Sequence, residues 1–177
     1  SPQAITRDYT LDIHDDHGKA PLLSVFGGKL TTYRKLAEHA LEKLSPYYQG
    51  IGPAWTKGAV LPGGEIGGDR DDYAAKLRRR YPFISESLAR HYARTYGSNS
   101  ELIIGDARDV TGLGDDFGHE FYEAELRYLV EHEWVRRLDD AIWRRTKQGM
   151  WLNAEQQSRI SEWLVKTLGK PELAQAS

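Results

Sequence analysis

The sequence has 177 residues, with 24 basic and 26 acidic side chains and a formal net charge of −2. Its length and its hydrophobic content of 40% are typical of a folded globular protein, and they exclude an intrinsically disordered chain. The near-balanced charge argues against a nucleic-acid partner, and the absence of cysteine excludes disulfides and cysteine-containing zinc sites.

The chain is interpreted as the interior of a longer protein. Its first residues lack both an initiator methionine and the apolar core of a signal peptide. It also lacks a run of about 18 apolar residues, so we expect no membrane-spanning helix.

Residues 9–44 are predicted to form a β-hairpin followed by a helix. Apolar and polar residues alternate over residues 9–13, which predicts a half-buried strand, and the apolar run 22–26 predicts a strand buried on both faces. Gly27 and Gly28 break this second strand. A helix is predicted from Leu30 until Ser45-Pro46, with an apolar face made of Leu30, Tyr33, Ala37, Ala40 and Leu44.

Glycine and proline are concentrated in residues 50–68, which we interpret as a linker between domains. The apolar residues of this segment, Trp55 and Ile66 among them, indicate that it packs on a surface. The predicted organisation is therefore mostly α-helical. Residues 1–49 supply strands and one helix, and residues 69–177 form an all-α domain of five or six helices.

The helices of residues 69–177 are predicted from their capping residues and apolar stripes. Asp69, Ser85 and Asn153 are expected to be N-caps, and Ser98 with Glu101 has the spacing of a capping box. Residues 138–147 are also expected to be helical. A further helix is predicted from an apolar stripe at a spacing of four residues, namely Tyr122, Leu126, Val130 and Trp134.

The strongest chemical candidate is the turn of residues 26–32, Phe-Gly-Gly-Lys-Leu-Thr-Thr. A helix start leaves its first N–H groups unpaired and carries about half a positive charge. Paired glycines let a ligand approach the backbone, and Lys29 adds a full positive charge. The turn is therefore predicted to bind an anion or to stabilise developing negative charge, although a plain structural turn explains the glycines equally well.

Two further candidates have simpler explanations. Arg7 can grip a phosphate or carboxylate bidentately, but an ordinary surface pair with Asp8 is the more economical interpretation. The basic segment that contains Arg144 and Arg145 can hold an anionic partner, yet Asp139 and Asp140 favour a solvated ion-pair network. Metal-ligand spacing, a Walker A loop and a Gly-x-Gly-x-x-Gly fingerprint are missing from the sequence, so we predict no metal site.

Several blocks of the sequence resemble the bacterial FAD-dependent glycerol-3-phosphate dehydrogenases. The most specific is the Gly-Gly-Lys-Leu-Thr-Thr-Tyr-Arg block within residues 22–44, and an independent one runs from Trp134 to Thr146. Shorter blocks occupy residues 4–9, 61–64, 96–97 and 118–120. The resemblance covers essentially the whole chain.

The resemblance implies an enzyme that oxidises sn-glycerol 3-phosphate to dihydroxyacetone phosphate, with FAD as hydride acceptor and quinone as the final electron acceptor. It further implies a homodimer that is cytoplasmic and peripheral on the inner membrane. Residues 1–49 would then be the C-terminal piece of the FAD and substrate domain, and residues 69–177 the helical C-terminal domain.

The resemblance also implies roles for particular residues. It assigns Gly27, Gly28, Lys29, Leu30 and Thr31 to the flavin edge of the active site. Arg7 would grip the phosphate of the substrate, and Lys29 would face the substrate or the flavin ring, so these two are the candidate catalytic residues.

One departure from that family affects the chain as it stands. The dinucleotide fingerprint is missing, so we expect these 177 residues alone to bind little or no FAD and to lack dehydrogenase activity. The alternative interpretation is a non-catalytic helical module that docks on the rest of its parent protein, on a dimer partner or on a membrane surface. This alternative best suits residues 69–177 taken alone.

Overall fold

The structure is a computed structural model that describes residues 8–16 and 19–169. These residues form two compact units, divided between Val60 and Leu61. The first unit contains a hairpin and a helix, and the second is helical, so the predicted fold class is confirmed. The division falls inside the segment 50–68, while the limits 1–49 and 69–177 stay predictions. Within the described ranges, every helix is too short or too polar to cross a membrane.

The first unit is an antiparallel hairpin followed by a helix, as the sequence predicts. Tyr9 lies opposite Gly27 and His14 opposite Leu22, so the two strands pair along their whole length. A short 3-10 turn precedes the helix, and Pro46 lies in another that follows it. The elements are β1 (Tyr9–His14), β2 (Leu22–Gly27) and α1 (Tyr33–Leu44).

Two burial predictions for this unit are wrong. The side chains of Leu22, Val25 and Phe26 are largely exposed, so β2 is not buried on both faces. Leu30 and Tyr33, which were expected on the apolar face of the helix, are exposed as well. The physical reason is that the sheet within the described residues has only two strands, too few to cover a sheet face or a full helix stripe.

The second unit packs its helices around one hydrophobic core. Its elements are α2 (Arg70–Arg80), α3 (Glu86–Thr95), α4 (Ser100–Ile104), α5 (Glu123–His132), a π-helix (Asp140–Arg145) and α6 (Ala154–Leu168). Each of the longer helices contributes side chains that are almost completely buried, including Leu77, Leu88, Tyr92, Leu126, Leu129, Ile142 and Ile160.

The predicted N-caps are confirmed. Asp69 accepts hydrogen bonds from the backbone N–H groups of Asp71 and Asp72, and Ser85 accepts one from that of Leu88. At the start of α6, Asn153 and Gln156 form a reciprocal capping box. Caps can be predicted because they depend on residues three or fewer positions apart.

The predicted capping box at Ser98 is wrong. The hydroxyl of Ser98 donates to the carboxylate of Glu65 at 3.1 Å, and α4 begins only at Ser100. Glu101 instead accepts hydrogen bonds from the hydroxyl of Tyr73 at 3.2 Å and from Arg80 at 2.6 Å. The contacts of Glu101 with α2 therefore replace the local cap.

Trp134 does not continue the apolar stripe of α5. The helix ends at His132, and Trp134 has a positive φ of 57° and a largely exposed side chain. The backbone N–H of Val135 donates to the carbonyl of Leu129 at 3.1 Å, and Val135 is fully buried. The chain reversal thus places Val135 in the core instead of Trp134.

The segment 61–68 is tied to the end of α3 by a close backbone contact. The N–H of Ser98 donates to the carbonyl of Gly63 at 2.9 Å. A Cβ atom added to Gly97 would overlap that carbonyl oxygen, and one added to Gly63 would overlap the carbonyl of Tyr96. Ile66 packs against the helical core, whereas Trp55 is exposed, so the predicted packing of segment 50–68 holds for Ile66 and fails for Trp55.

A buried carboxylate connects α3 to α5. Glu125 has no solvent exposure, and its Oε1 atom accepts hydrogen bonds from the imidazole Nε2 of His91 at 2.7 Å and from the hydroxyl of Tyr96 at 2.6 Å. Burial lowers the pKa of His91, but the hydrogen bond to Glu125 and the charge of Glu125 outweigh burial, so the pKa is raised. Burial and the charge of Glu125 also raise the pKa of Tyr96.

We predict that Gly97→Ala destabilises the protein far more than Gly67→Ala. Both glycines have positive φ, so an alanine at either position is strained by about 1–2 kcal/mol in this left-handed conformation. Only Gly97 also meets backbone, whereas a Cβ atom at Gly67 meets nothing within 4 Å. We expect a total loss of about 3–4 kcal/mol for Gly97→Ala. Urea unfolding of both variants measures the difference, and equal losses would contradict the backbone contact.

We predict that His91 stabilises the protein in a pH-dependent way. Because its folded-state pKa is raised, the stabilisation is fully present below the unfolded imidazole pKa of about 6.5. It is lost as the pH rises through the folded-state pKa. His91→Gln should therefore lower the free energy of unfolding by about 2–3 kcal/mol near about pH 6 and by less near about pH 9.

The matched control for this experiment is His14→Gln, because the side chain of His14 is largely exposed. We expect that control to change stability little at either pH. A loss for His91→Gln that is constant across this pH range would contradict the pairing of His91 with Glu125.

Candidate functional site

The turn after β2 has the backbone geometry that its paired glycines allow. Gly27 and Gly28 have φ values of 75° and 102°, which other L-residues rarely adopt. A Cβ atom at Gly28 would make ordinary contacts with Leu36 at 3.4 Å and with Tyr9 at 3.5 Å. The requirement for glycine at position 28 is therefore conformational, and the turn reverses the chain directly from strand to helix.

Lys29 and Thr32 form reciprocal hydrogen bonds at the helix start after the glycines. The carbonyl of Lys29 accepts from the N–H of Thr32 at 2.9 Å and from its hydroxyl at 2.8 Å. The N–H of Lys29 donates back to the hydroxyl of Thr32 at 3.3 Å. The first N–H groups of a helix lack intrahelical acceptors. Here the N–H groups of Leu30 and Thr31 are in that position, and they give the helix start its partial positive charge.

This helix start is open to solvent. Gly27, Gly28, Lys29, Leu30 and Thr31 are all exposed, and Leu30 keeps 90% of its surface accessible. Lys29 forms no ion pair with any residue in the described ranges. A ligand can therefore reach both the polarised backbone and the ammonium group.

The five turn residues form one contiguous surface, whereas Arg7 lies outside the described residues. The fit of the turn to a flavin edge can be judged from its chemistry. It combines a polarised helix start and a cation, which suit developing negative charge, with the exposed apolar side chains of Phe26, Leu30 and Tyr33, which suit a flat ring. These residues fit an edge of the cofactor.

A groove of about 1050 Å³ runs along α1 inside the first unit, between the helix and residues 51–57. Arg34 donates to Glu38 at 2.9 Å and to Thr56 at 3.3 Å, and the hydroxyl of Thr56 donates to Glu38 at 2.5 Å. The hydrogen bond from Thr56 and the charge of Arg34 outweigh partial desolvation and lower the pKa of Glu38. This network fixes residues 51–57 against the helix that begins at the candidate site.

The basic segment of the second unit forms its own ion-pair network. Asp140 accepts from the backbone N–H groups of Arg136 and Arg137 and from the guanidinium of Arg144 at 2.9 Å. Burial raises the pKa of Asp140, but these partners outweigh burial and the pKa is lowered. Arg145 lies 3.9 Å from Glu133. The internal network therefore explains these arginines without an anionic partner.

Sequence reasoning missed the environment of Glu125. Its position on α5, four residues before Leu129, places it on a buried face of the helix, and this spacing was the available indication. The predicted stripe of Tyr122, Leu126 and Val130 lies on a neighbouring face. Its partners His91 and Tyr96 come from a helix about thirty positions earlier, and no local pattern links them.

Comparison with known proteins identifies the region. The family described as the C-terminal domain of alpha-glycerophosphate oxidase matches residues 54–171. The aerobic glycerol-3-phosphate dehydrogenase of Escherichia coli is 84% identical over 94% of this chain, which corresponds to 33% of that protein. The glycerol-3-phosphate dehydrogenase of Pseudomonas aeruginosa is 45% identical over 92% of the chain, or 32% of its own length.

The D-erythritol 1-phosphate dehydrogenase of Brucella abortus is 43% identical, over 92% of this chain and 32% of its own length. The chain thus spans about a third of the length of the curated relatives that it matches. The match of the family over residues 54–171 covers more than half of the chain. The chain therefore belongs to the family of the C-terminal domain of alpha-glycerophosphate oxidase.

Proposed function

We propose that the chain is the C-terminal part of a flavoenzyme that oxidises sn-glycerol 3-phosphate to dihydroxyacetone phosphate. The observation that carries this proposal is the identity of 84% with the Escherichia coli enzyme over 94% of the chain. The Brucella abortus relative is named for another phosphorylated polyol, which supports a substrate with a phosphate group and a hydroxyl to be oxidised.

The exposed helix start at Gly27–Thr31 is proposed as the edge of the cofactor site. When bound, FAD would supply the hydride acceptor. The free N–H groups of Leu30 and Thr31 and the ammonium of Lys29 would stabilise negative charge on its ring. Gly27 and Gly28 carry no side chains, so a ligand can approach the backbone of the turn closely, and their positive φ values favour glycine at both positions.

Lys29 and Arg7 are proposed as the groups that meet the anionic substrate. Lys29 is exposed next to the polarised backbone, so its ammonium can contact either the substrate or the flavin ring. Arg7 precedes β1 in sequence, and its planar guanidinium can bind a phosphate through two parallel hydrogen bonds. Both assignments rest on the family resemblance and on the charge of the substrate.

The remaining features of the proposal concern the whole enzyme. Residues 1–49 would belong to the FAD and substrate domain, residues 50–68 would be the linker, and residues 69–177 would form the helical domain. We also propose quinone as electron acceptor, a homodimeric state, and a cytoplasmic location peripheral on the inner membrane. The support for these features is the resemblance to the dehydrogenases.

A second candidate function is a non-catalytic helical docking module. The self-contained hydrophobic core of the second unit favours it, because such a unit can fold and bind without the first.

A chimaera separates the two proposals. In it, the present chain replaces the corresponding third of the Escherichia coli enzyme, and glycerol 3-phosphate-dependent reduction of a dye is measured. A folded, flavin-loaded but inactive chimaera would contradict the catalytic proposal.

In that chimaera, Lys29→Met should lower kcat/KM by an amount equivalent to about 2–3 kcal/mol, because a charged partner of the substrate or cofactor is lost. Lys19→Met is the matched control, since Lys19 is an exposed lysine of the hairpin that lies 3.4 Å from Asp16. Equal kinetics for the two variants would remove Lys29 from the site.

Arg7→Ala in the same chimaera should weaken substrate binding or turnover by about 2–5 kcal/mol, as expected for the loss of one partner of a buried charge pair. Steady-state kinetics with glycerol 3-phosphate measure the effect. Arg70→Ala provides a control, because Arg70 is an exposed arginine at the start of α2. Kinetics of Arg7→Ala that match those of the control would exclude a role in phosphate recognition.

A further inference from the structure

A polar pocket of about 260 Å³ lies within the helical second unit. Residues from α3, from the loop before α5 and from the segment before α6 form its wall. The residues that matter for recognition are Ser87, His91, His119, Glu120, Gln148 and Trp151.

The loop that forms one side of this pocket has an unusual backbone. His119 and Glu120 are consecutive non-glycine residues with φ values of 54° and 61°. Such residues cost about 1–3 kcal/mol each and persist where neighbouring contacts hold them. The carboxylate of Glu120 accepts a short hydrogen bond from the hydroxyl of Ser87, which keeps the carboxylate at the pocket.

Gln148 contributes an amide group to the pocket wall. Only 9% of this residue is exposed. Its side-chain amide forms no hydrogen bond within residues 8–16 and 19–169, and its amide atoms are not among the fully buried polar atoms of that part of the chain, so they keep contact with solvent. Its backbone groups, by contrast, are bonded to Thr146, Trp151 and Leu152. The amide is therefore free to bond a ligand, and Gln148 lies in the pocket wall.

The charges around the pocket favour a cation. Glu120 contributes a carboxylate whose only hydrogen-bond partner in the described part of the chain is the hydroxyl of Ser87. The imidazole of His91 is already paired with the buried carboxylate of Glu125, so a protonated His91 is neutralised. Lysine and arginine are absent from the described wall of the pocket. An anion would therefore meet Glu120 with no strong cation to offset it.

We propose that this pocket binds a guanidinium group. A guanidinium can donate to the carboxylate of Glu120 and to the amide oxygen of Gln148, and its planar face can stack on the exposed ring of Trp151. The group can belong to a small free cation or to an arginine side chain of a polypeptide. The proposal is independent of the dehydrogenase activity.

The test is titration of the 177-residue chain with methylguanidinium, followed by heteronuclear NMR. We expect saturable binding in the low millimolar range, with shifts of the side-chain amide of Gln148 and the indole of Trp151. The neutral isostere N-methylurea should bind at least about tenfold more weakly. Equal binding of N-methylurea, or acetate binding at the same resonances, would overturn the proposal, as would a titration with no saturable shifts.

Two substitutions test the named contacts. Glu120→Gln should weaken methylguanidinium binding about tenfold or more, whereas Glu131→Gln, which removes the same charge from an exposed position on α5, should leave it unchanged. Gln148→Leu should abolish binding without loss of stability, because the amide that it removes forms no hydrogen bond within the described part of the chain. Unchanged binding in a folded Glu120→Gln or Gln148→Leu variant would refute the assignment.

A further titration distinguishes the two sources of the group. A pentapeptide with a central arginine is compared with methylguanidinium and with the same peptide carrying citrulline. Binding of the arginine peptide at least about tenfold tighter than methylguanidinium would assign the pocket to a polypeptide, and similar affinity would assign it to a free cation. Equal binding of the arginine and citrulline peptides would contradict the proposal.

Discussion

The organisation of the helical unit depends on one buried charge, the carboxylate of Glu125. Removing a carboxylate from water is costly unless hydrogen-bonded partners compensate for the lost solvation. His91 and Tyr96 both donate to Oε1 of Glu125, and both come from the α3 region, so moving α3 away from α5 would remove the hydrogen bonds of this carboxylate. His91 also lines the pocket that holds Glu120 and Gln148. The core and the pocket therefore share one structural element.

The two units differ in how their apolar residues are used. The helical unit buries its large side chains in a continuous core, whereas the hairpin unit leaves Phe26, Leu30 and Tyr33 exposed around the paired glycines. Exposed apolar side chains next to a polarised helix start are suited to a flat, partly anionic ring. This combination supports the proposed cofactor edge, because neither feature alone would select such a ligand.

Local features of the fold could be predicted from the sequence, and non-local ones could not. The N-caps at Asp69, Ser85 and Asn153 depend on neighbouring residues, so the sequence pattern was sufficient for them. The cap at Ser98 failed because Glu101 is bonded to Tyr73 and Arg80 from another helix. The burial of β2 failed for a related reason, since burial depends on how many layers cover a strand.

The same distinction separates the two sites. The turn from Gly27 to Thr31 is encoded by consecutive residues, so strand, glycines and helix start could be predicted together. The pocket around Glu120 and Gln148 combines three stretches of chain with no shared sequence pattern. What makes that pocket recognisable is the placement of its groups: an amide without a hydrogen-bond partner in the described residues lines the same pocket as a carboxylate held in a costly backbone conformation. Folding alone does not require that arrangement, whereas a cationic ligand would satisfy both groups at once.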